Sequence, residues 1–273
     1  MDTAAPAISV ANLSSRLGSP HAPLIVDVRR APAFDADSTM IAGALRRHPD
    51  EVSDWARQLP GNAPVVAYCA HGHEVSQGVA KALGDLGIDA RFLAGGIEAW
   101  KAAGGPTMAK QTIPGFPSSR PTRWVTRERP KIDRIACPWL VRRFIDRHAE
   151  FLFVPANQVL AAAERDRAVP YDIPGVEFSH EGELCSFDAF LKRFRVDDPA
   201  LDDLAVIVRG ADTARPDLAP QCAGLLAVSL GLSALYDDDI EMLERGMLVY
   251  DALYAWIKSA RAEVHNARLF EKT

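Results

Sequence analysis

The sequence predicts an α/β domain, a small parallel sheet with helices on both faces, followed by a mainly helical α+β domain. Three observations carry this. Short apolar runs alternate with helical periodicity between Leu24 and Ala103, Pro and Gly crowd residues 104–123, and helical spacing dominates afterwards.

The elements can be justified in order. Leu24–Val28, after Pro23, is an apolar strand. Val65–Cys69, behind Pro64, is a second, and from His73 onward Val75, Val79, Ala82, Leu83 and Leu86 recur at helical spacing. Ala90–Leu93 is a third strand, with a helix around Ile97–Ala103. The stretch GGPTMAKQTIPGFPSSRPTR (104–123) holds four prolines and three glycines without a period and reads as a linker. This divides the chain into a first domain (1–106), a linker (107–122) and a second domain (123–273). In the second domain Trp124–Thr126 and Phe151–Val154 read as strands. A helix is expected to begin at Pro138, because proline suits a first helical position. Phe187, Phe190, Leu191 and Phe194 mark one helical face, and Leu218–Leu232 reads as a buried helix. Ile240, Leu243, Met247, Tyr250, Tyr254 and Ile257 form a stripe on a long amphipathic helix, read as core in preference to a homodimer seam.

Composition narrows the function classes. The 273 residues are 48% hydrophobic and 25% charged, with a formal net charge of −5. An acidic chain is a poor default nucleic-acid binder, so direct DNA binding is disfavoured. The N-terminus lacks the basic and apolar regions of a signal peptide, and no apolar run approaches a membrane span, so a cytoplasmic protein is expected. Cys69, Cys137, Cys185 and Cys222 are widely spaced, without a CxxC pair, and read as reduced thiols.

Cys69 stands at the C-terminal end of a strand, where an open α/β sheet exposes its binding crevice. A thiol is nucleophilic only as thiolate, and a free thiol ionises near pH ~8.5. The loop Ala70-His71-Gly72-His73 can turn backbone N–H groups onto the sulfur, the following helix adds the positive end of its dipole, and His71 or His73 can add charge. A free cysteine often serves only as a small buried residue; the loop and the helix start favour a reactive thiol here.

IVDVR (25–29), YCAHGHEVSQGVAKAL (68–83) and FLAGGIEAWKAAGGP (92–106) together resemble a rhodanese domain over roughly residues 8–106. The resemblance implies a sulfurtransferase in which Cys69 carries a persulfide and residues 70–74 bind the transferred sulfur, with Asp27 and Arg29 supporting the site. Gly95, Gly96 and Trp100 then read as turn and packing residues. Thiosulfate-using rhodaneses often place an arginine where this chain has Glu74, and a carboxylate opposes a dianionic donor. The GHIPGA-like stretch is reduced to Met40–Ala44. A less charged donor, or an upstream protein persulfide, fits better, with a thiol as acceptor.

Two further segments concentrate reactive groups. RPKIDRIACPWLVRRFID (129–146) gathers Asp133, Arg134, Cys137, Arg142 and Arg143 around the expected helix start. With Pro138 as the first helical residue, Cys137 would cap the helix, and the arginines would suit an oxyanion; a basic surface with Arg142 and Asp146 paired one turn apart is the plainer reading. VEFSHEGELCSFDAF (176–190) places His180, Glu181, Glu183 and Cys185 ahead of a helix capped by Ser186. One histidine with two carboxylates suits a hard or borderline metal ion, although the spacing matches no zinc pattern, and an acidic polar loop explains it as well. Asp212, in the turn RGADT, is a further candidate ligand. Asp237-Asp238-Asp239 reads as an acidic helix N-terminus, and Cys222 as core.

RPKIDRIACPWLVRRFIDRHAEFLFVP (129–155), DIPGVEFSHEGELCSFDAF (172–190), IVRGADTARPDLAPQ (207–221) and the final helix resemble the C-terminal domain of chromate-resistance proteins of the ChrB type, from residue 123 to about 258. The resemblance implies a chromate-responsive regulator or accessory factor and raises Asp133, Arg134, Cys137, His180, Glu181 and Cys185 as pocket candidates without assigning roles. Two functions follow as expectations. One is a Cys69 sulfurtransferase coupled to a metal or oxyanion pocket, with chromate as one oxyanion. The other is a sensor or regulator in which Cys69 or Cys137 is oxidised or liganded. A detoxification scaffold without turnover is a third.

Overall fold

The computed structural model describes residues 5–59, 63–110 and 121–263. The first half contributes strands β1 (Ala7–Ile8), β2 (Leu24–Asp27), β3 (Thr39–Ile41), β4 (Leu45–Arg46), β5 (Val65–Tyr68), β6 (Ala90–Leu93) and β7 (Thr107–Ala109). Five of them form a parallel sheet in the order β1-β6-β5-β2-β4. Every residue of β2 and β5 is buried, as a parallel strand covered on both faces requires. Helices α1 (Val10–Ser14), α2 (Ala31–Asp35), α3 (Val52–Trp55), α4 (Glu74–Asp85) and α5 (Gly96–Ala102) alternate with the strands.

Side chains alternate across the sheet and feed two cores. Leu24, Val26, Val65 and Ala67 pack with Val79, Ala80 and Leu83 of α4. Ile25, Val66 and Tyr68 face the other way, into a core that also contains Trp100 and runs on into the second half through Trp124, Trp139, Phe144 and Tyr254. One apolar core therefore spans both halves.

The start of the expected linker is ordered structure. Thr107–Ala109 is buried as β7 and pairs antiparallel with β3, while Thr107 also bridges Asp197 of the second half. Its short apolar and β-branched side chains suit a strand. The rest of that stretch, 111–120, lies outside the described residues.

In the second half β8 (Arg123–Arg127), β9 (Glu150–Val154) and β10 (Val169–Pro170) form a parallel sheet ordered β10-β8-β9. Around it stand α6 (Asp133–Phe144), α7 (Val159–Asp166), α8 (Ser186–Phe194), α9 (Pro199–Asp212), α10 (Cys222–Leu235) and α11 (Asp239–Ala255). The stripe on α11 is core, with Leu243, Met247, Tyr250 and Tyr254 buried, although Ile240 is exposed. The helix expected at 218–232 is shifted, and only partly buried: Val228, Leu230 and Leu235 of α10 face outward. Among the described residues no helix is long and apolar enough to cross a membrane.

Pro138 does not open its helix. α6 begins at Asp133, so Pro138 lies inside and Cys137 is mid-helix, not a cap. An interior proline leaves the carbonyl four residues earlier without its usual donor. That carbonyl is on Arg134, and the Tyr171 hydroxyl donates to it at 3.2 Å. Two residues earlier the Tyr250 hydroxyl donates to the Ile132 carbonyl at 2.6 Å. Two buried phenols thus hold the first turns of α6.

Tyr171→Phe should cost about 1–3 kcal/mol, because it takes the donor from the Arg134 carbonyl that Pro138 already leaves without its helical partner. Urea unfolding would measure this, and a loss within error of zero would show that Arg134 does not depend on the phenol.

Candidate functional site

The loop after β5 is shaped by what its carbonyls bind. The first amides of α5 take them: Ile97 N–H donates to Cys69 O at 3.0 Å and Glu98 N–H to Ala70 O at 3.1 Å. With the carbonyls drawn to α5, amides of the loop reach the sulfur. The approach is so close that a Cβ on Gly96 would lie 2.4 Å from both carbonyl oxygens. Gly72 has φ +72°, and a Cβ there would meet the Leu93 carbonyl oxygen at 2.5 Å. Only glycine fits either position without displacing backbone.

Cys69 is 7% exposed, at the floor of an open pocket of about 640 Å³ also lined by Arg29, His71, His73 and Glu74. Its sulfur lies 3.2 Å from Ser76 Oγ, in the first turn of α4. Burial opposes ionisation of the thiol. Hydrogen bonds from the Ser76 hydroxyl and amide, and from the His71 and His73 amides, outweigh it and hold the thiol below its ordinary value. Ser76 was not singled out in the sequence, although a hydroxyl in the first turn after such a loop is a readable signal. Arg30 at the pocket wall is a second omission.

Asp27 and Arg29, expected at the substrate, are chiefly bound to each other. Asp27 is 0% and Arg29 1% exposed. The Arg29 guanidinium donates to Asp27 Oδ2 at 2.6 Å, to Asp37 Oδ2 at 2.7 Å and to the Thr39 carbonyl at 2.9 Å. The Tyr68 hydroxyl donates to Asp27 Oδ2 at 2.8 Å. Arg29 lines the pocket while being held by these contacts; Asp27 lies behind it. His71, His73 and Glu74 are exposed at the pocket, Ala70 is half-buried and Gly72 is buried.

In the second half the expected residues separate into three places. His180 Nε2 meets three carboxylates: Asp133 Oδ2 and Asp212 Oδ2 at 3.2 Å each, and Asp172 Oδ1 at 3.5 Å. These come from the first residue of α6, the last residue of α9 and the loop after β10. Asp212 thus ends a helix and does not stand in a turn. Ser186 joins the group, its amide donating to Asp133 Oδ2 at 3.3 Å and its hydroxyl to Asp172 Oδ1 at 2.9 Å. Arg127 and Arg134 flank Asp172 at 2.6 and 3.2 Å. Hydrogen bonding to Asp133 and Asp172 pushes His180 up to about 10. Burial, then the Asp133 charge, pushes Asp212 up to about 8. Ligand atoms of Asp133, His180 and Asp212 lie within 4.8 Å of one another, a spacing that could hold a cation. Asp172 was not singled out in the sequence, although it opens the stretch DIPGVEFSHEGELCSFDAF that also holds His180.

Glu181 and Glu183 are not in this cluster. Glu181 turns to Lys192 and Arg193, both at 2.5 Å, and Glu183 is exposed. Cys185, not Ser186, is the capping residue of α8, and Asp188 accepts from its amide at 3.0 Å. Burial pushes the Cys137 and Cys185 thiols well up. Arg142 and Arg143 leave the expected pocket for α11, pairing with Glu244 at 2.5 Å and Asp251 at 2.8 Å. Arg142 therefore does not pair with Asp146, which accepts instead from the Thr122 amide and hydroxyl at 2.7 and 2.8 Å.

Residues 9–103 match the family model of the rhodanese-like domain, and residues 124–257 match that of the ChrB C-terminal domain. Over 140 residues the chain is 34% identical to Protein ChrB of Cupriavidus metallidurans, covering 51% of this chain and 42% of that protein. The chain thus spans less than half the length of that curated relative. Two solved structures are similar to it: a rhodanese-related protein from Thermoplasma volcanium (25% identity, TM-score 0.33, covering 37% of this chain and 96% of that one) and a rhodanese-like domain protein from Staphylococcus aureus (28%, 0.32, 35% and 90%).

Because the Cys69 thiol is held low, its alkylation by iodoacetamide should reach half-maximal rate below the ~8.5 of a free thiol. Ser76→Ala should move that midpoint upward. Peptide mass spectrometry across a pH series would read both, and a wild-type midpoint at or above the free-thiol value would contradict the hydrogen-bonded sulfur.

Proposed function

Since the chain joins a rhodanese-like domain at residues 9–103 to a ChrB C-terminal chromate-resistance domain at 124–257, we propose that the first domain is a sulfurtransferase acting through a persulfide on Cys69. The observation that carries this reading is the sulfur at the pocket floor, held by the Ser76 hydroxyl and by backbone amides. The thiolate attacks the sulfane sulfur of a donor. A bond forms between Cys69 Sγ and that sulfur, and the donor's bond to it breaks, its electron pair leaving with the donor as thiolate or sulfite. An acceptor thiolate then attacks the outer sulfur, and Cys69 departs as thiolate. The same amides that stabilise Cys69 stabilise the anionic outer sulfur. Glu74 at the pocket wall disfavours a dianionic donor. A redox-responsive regulator would work more readily through Cys69 than through Cys137 or Cys185, because burial holds those two thiols un-ionised while hydrogen bonds hold Cys69 low.

For the second domain, Asp133, Asp212 and His180 suit a divalent cation of hard or borderline character, which would displace the proton that the carboxylates hold on His180. Arg127 and Arg134 hold Asp172 beside them. Glutathione persulfide, a protein persulfide and thiosulfate are the sulfur donors to compare at Cys69.

After incubation with glutathione persulfide, wild-type protein should gain one sulfur on the Cys69 peptide, and Cys69→Ser should gain none there and transfer none to a thiol. Full transfer by the variant would end the proposal. In calorimetric titration with Mn²⁺ or Zn²⁺, Asp133→Asn and Asp212→Asn should each weaken binding at least tenfold; unchanged binding, or none in the wild type, would remove the cation site.

A further inference from the structure

We propose that the crevice between the two domains binds a small tetrahedral oxyanion on Arg147. This site is distinct from Cys69, because it lies at Leu24 and Ile25, where β2 begins, whereas Cys69 follows the C-terminal end of β5.

Arg147 stands just beyond α6 and is half-buried. Its guanidinium reaches across to the first domain and donates to the Ala22 carbonyl at 3.3 Å. Among the described residues no carboxylate pairs with it. The neighbouring arginines are different: Arg142 is neutralised by Glu244, and Arg143 by both oxygens of Asp251 at 2.8 and 2.9 Å. The adjacent Asp146 is also engaged, accepting from Thr122 and from the His148 amide at 3.0 Å. Burial and the nearby Arg143 charge both oppose the cationic form of Arg147. An arginine does not escape that penalty by losing its proton, since it stays charged in proteins. An anion supplied from solution removes the penalty.

The space suits that ligand. Arg147, Arg143, Ser19, Pro23 and Gly43 help wall a cavity of about 90 Å³. That is the volume of about three waters, and far below the ~300 Å³ at which pockets for drug-sized ligands begin. Sulfate, thiosulfate and chromate share the chemistry required: four tetrahedral outer atoms, two negative charges, and acceptors matched to a guanidinium fork. Because Ala22 and Ser19 belong to the first domain and Arg147 to the second, the bound anion would touch both.

Calorimetric titration of the full chain with sodium sulfate, sodium thiosulfate and sodium chromate, in a chloride background of matched ionic strength, tests this. Saturable one-to-one binding of at least one dianion is expected, weakened at least tenfold in Arg147→Gln and unchanged in Cys69→Ser. The three titrations identify which oxyanion is preferred, and the Cys69 variant separates this site from the persulfide reading. Phenylglyoxal labelling of the wild type gives a second readout that needs no variant: the preferred dianion should protect Arg147. Absence of saturable binding by all three, or equal binding by Arg147→Gln, or labelling of Arg147 that the dianion leaves unchanged, would overturn the proposal.

Discussion

A carboxylate with no access to water must be fully bonded, and Asp27 sets that constraint for this molecule. It sits at the end of β2, sealed by Arg29 two residues beyond that strand and by Tyr68 from the neighbouring strand β5. Each partner is then used twice. Arg29 also holds Asp37 and the Thr39 carbonyl, and the Tyr68 hydroxyl accepts from the Ile41 amide at 3.2 Å. Both contacts fix β3, β3 fixes β7, and β7 reaches Asp197 in the second half. Satisfying one buried charge thereby orders a path from the sheet centre to the far domain. Removing Arg29 would leave the buried Asp27 carboxylate without a charged partner, which is far more destabilising than never having had the pair, whereas Arg29 without Asp27 would keep Asp37.

The two ends of the parallel sheet are put to different uses. At the C-terminal ends, α5 takes the carbonyls of Cys69 and Ala70, and amides of the loop bind sulfur. At the start of β2 the second domain closes against the sheet. Cys69 thus lies at an open pocket, and among the described residues only the first domain lines it.

What the sequence revealed follows from the range of the interactions involved. The strand, loop and helix around Cys69 are contiguous, so local periodicity and a glycine in the turn were enough to place the thiol. The cluster at His180 draws on Asp133, Asp172 and Asp212, which share no local pattern, and only tertiary packing selects them over the adjacent Glu181 and Glu183. Those two look better by spacing, but Lys192 and Arg193 of α8 capture the first, and solvent takes the second. Pro138 misled for a related reason. Its position inside α6 is supported by Tyr171, a partner distant in sequence whose hydroxyl replaces a donor the helix lacks. Gly95, Gly96 and Trp100 were legible as turn and packing residues; Trp100 is fully buried and donates to the Pro106 carbonyl at 2.9 Å.

The shared core has a consequence for biosynthesis. One face of the first sheet, with Ile25, Val66 and Tyr68, is completed by side chains as late in the chain as Tyr254. During synthesis on the ribosome this face emerges long before its cover. The nascent first domain must therefore wait with an apolar surface exposed, the condition in which chains aggregate or recruit chaperones. That face is covered only once α11 has emerged, later than the end of the first domain's own sequence.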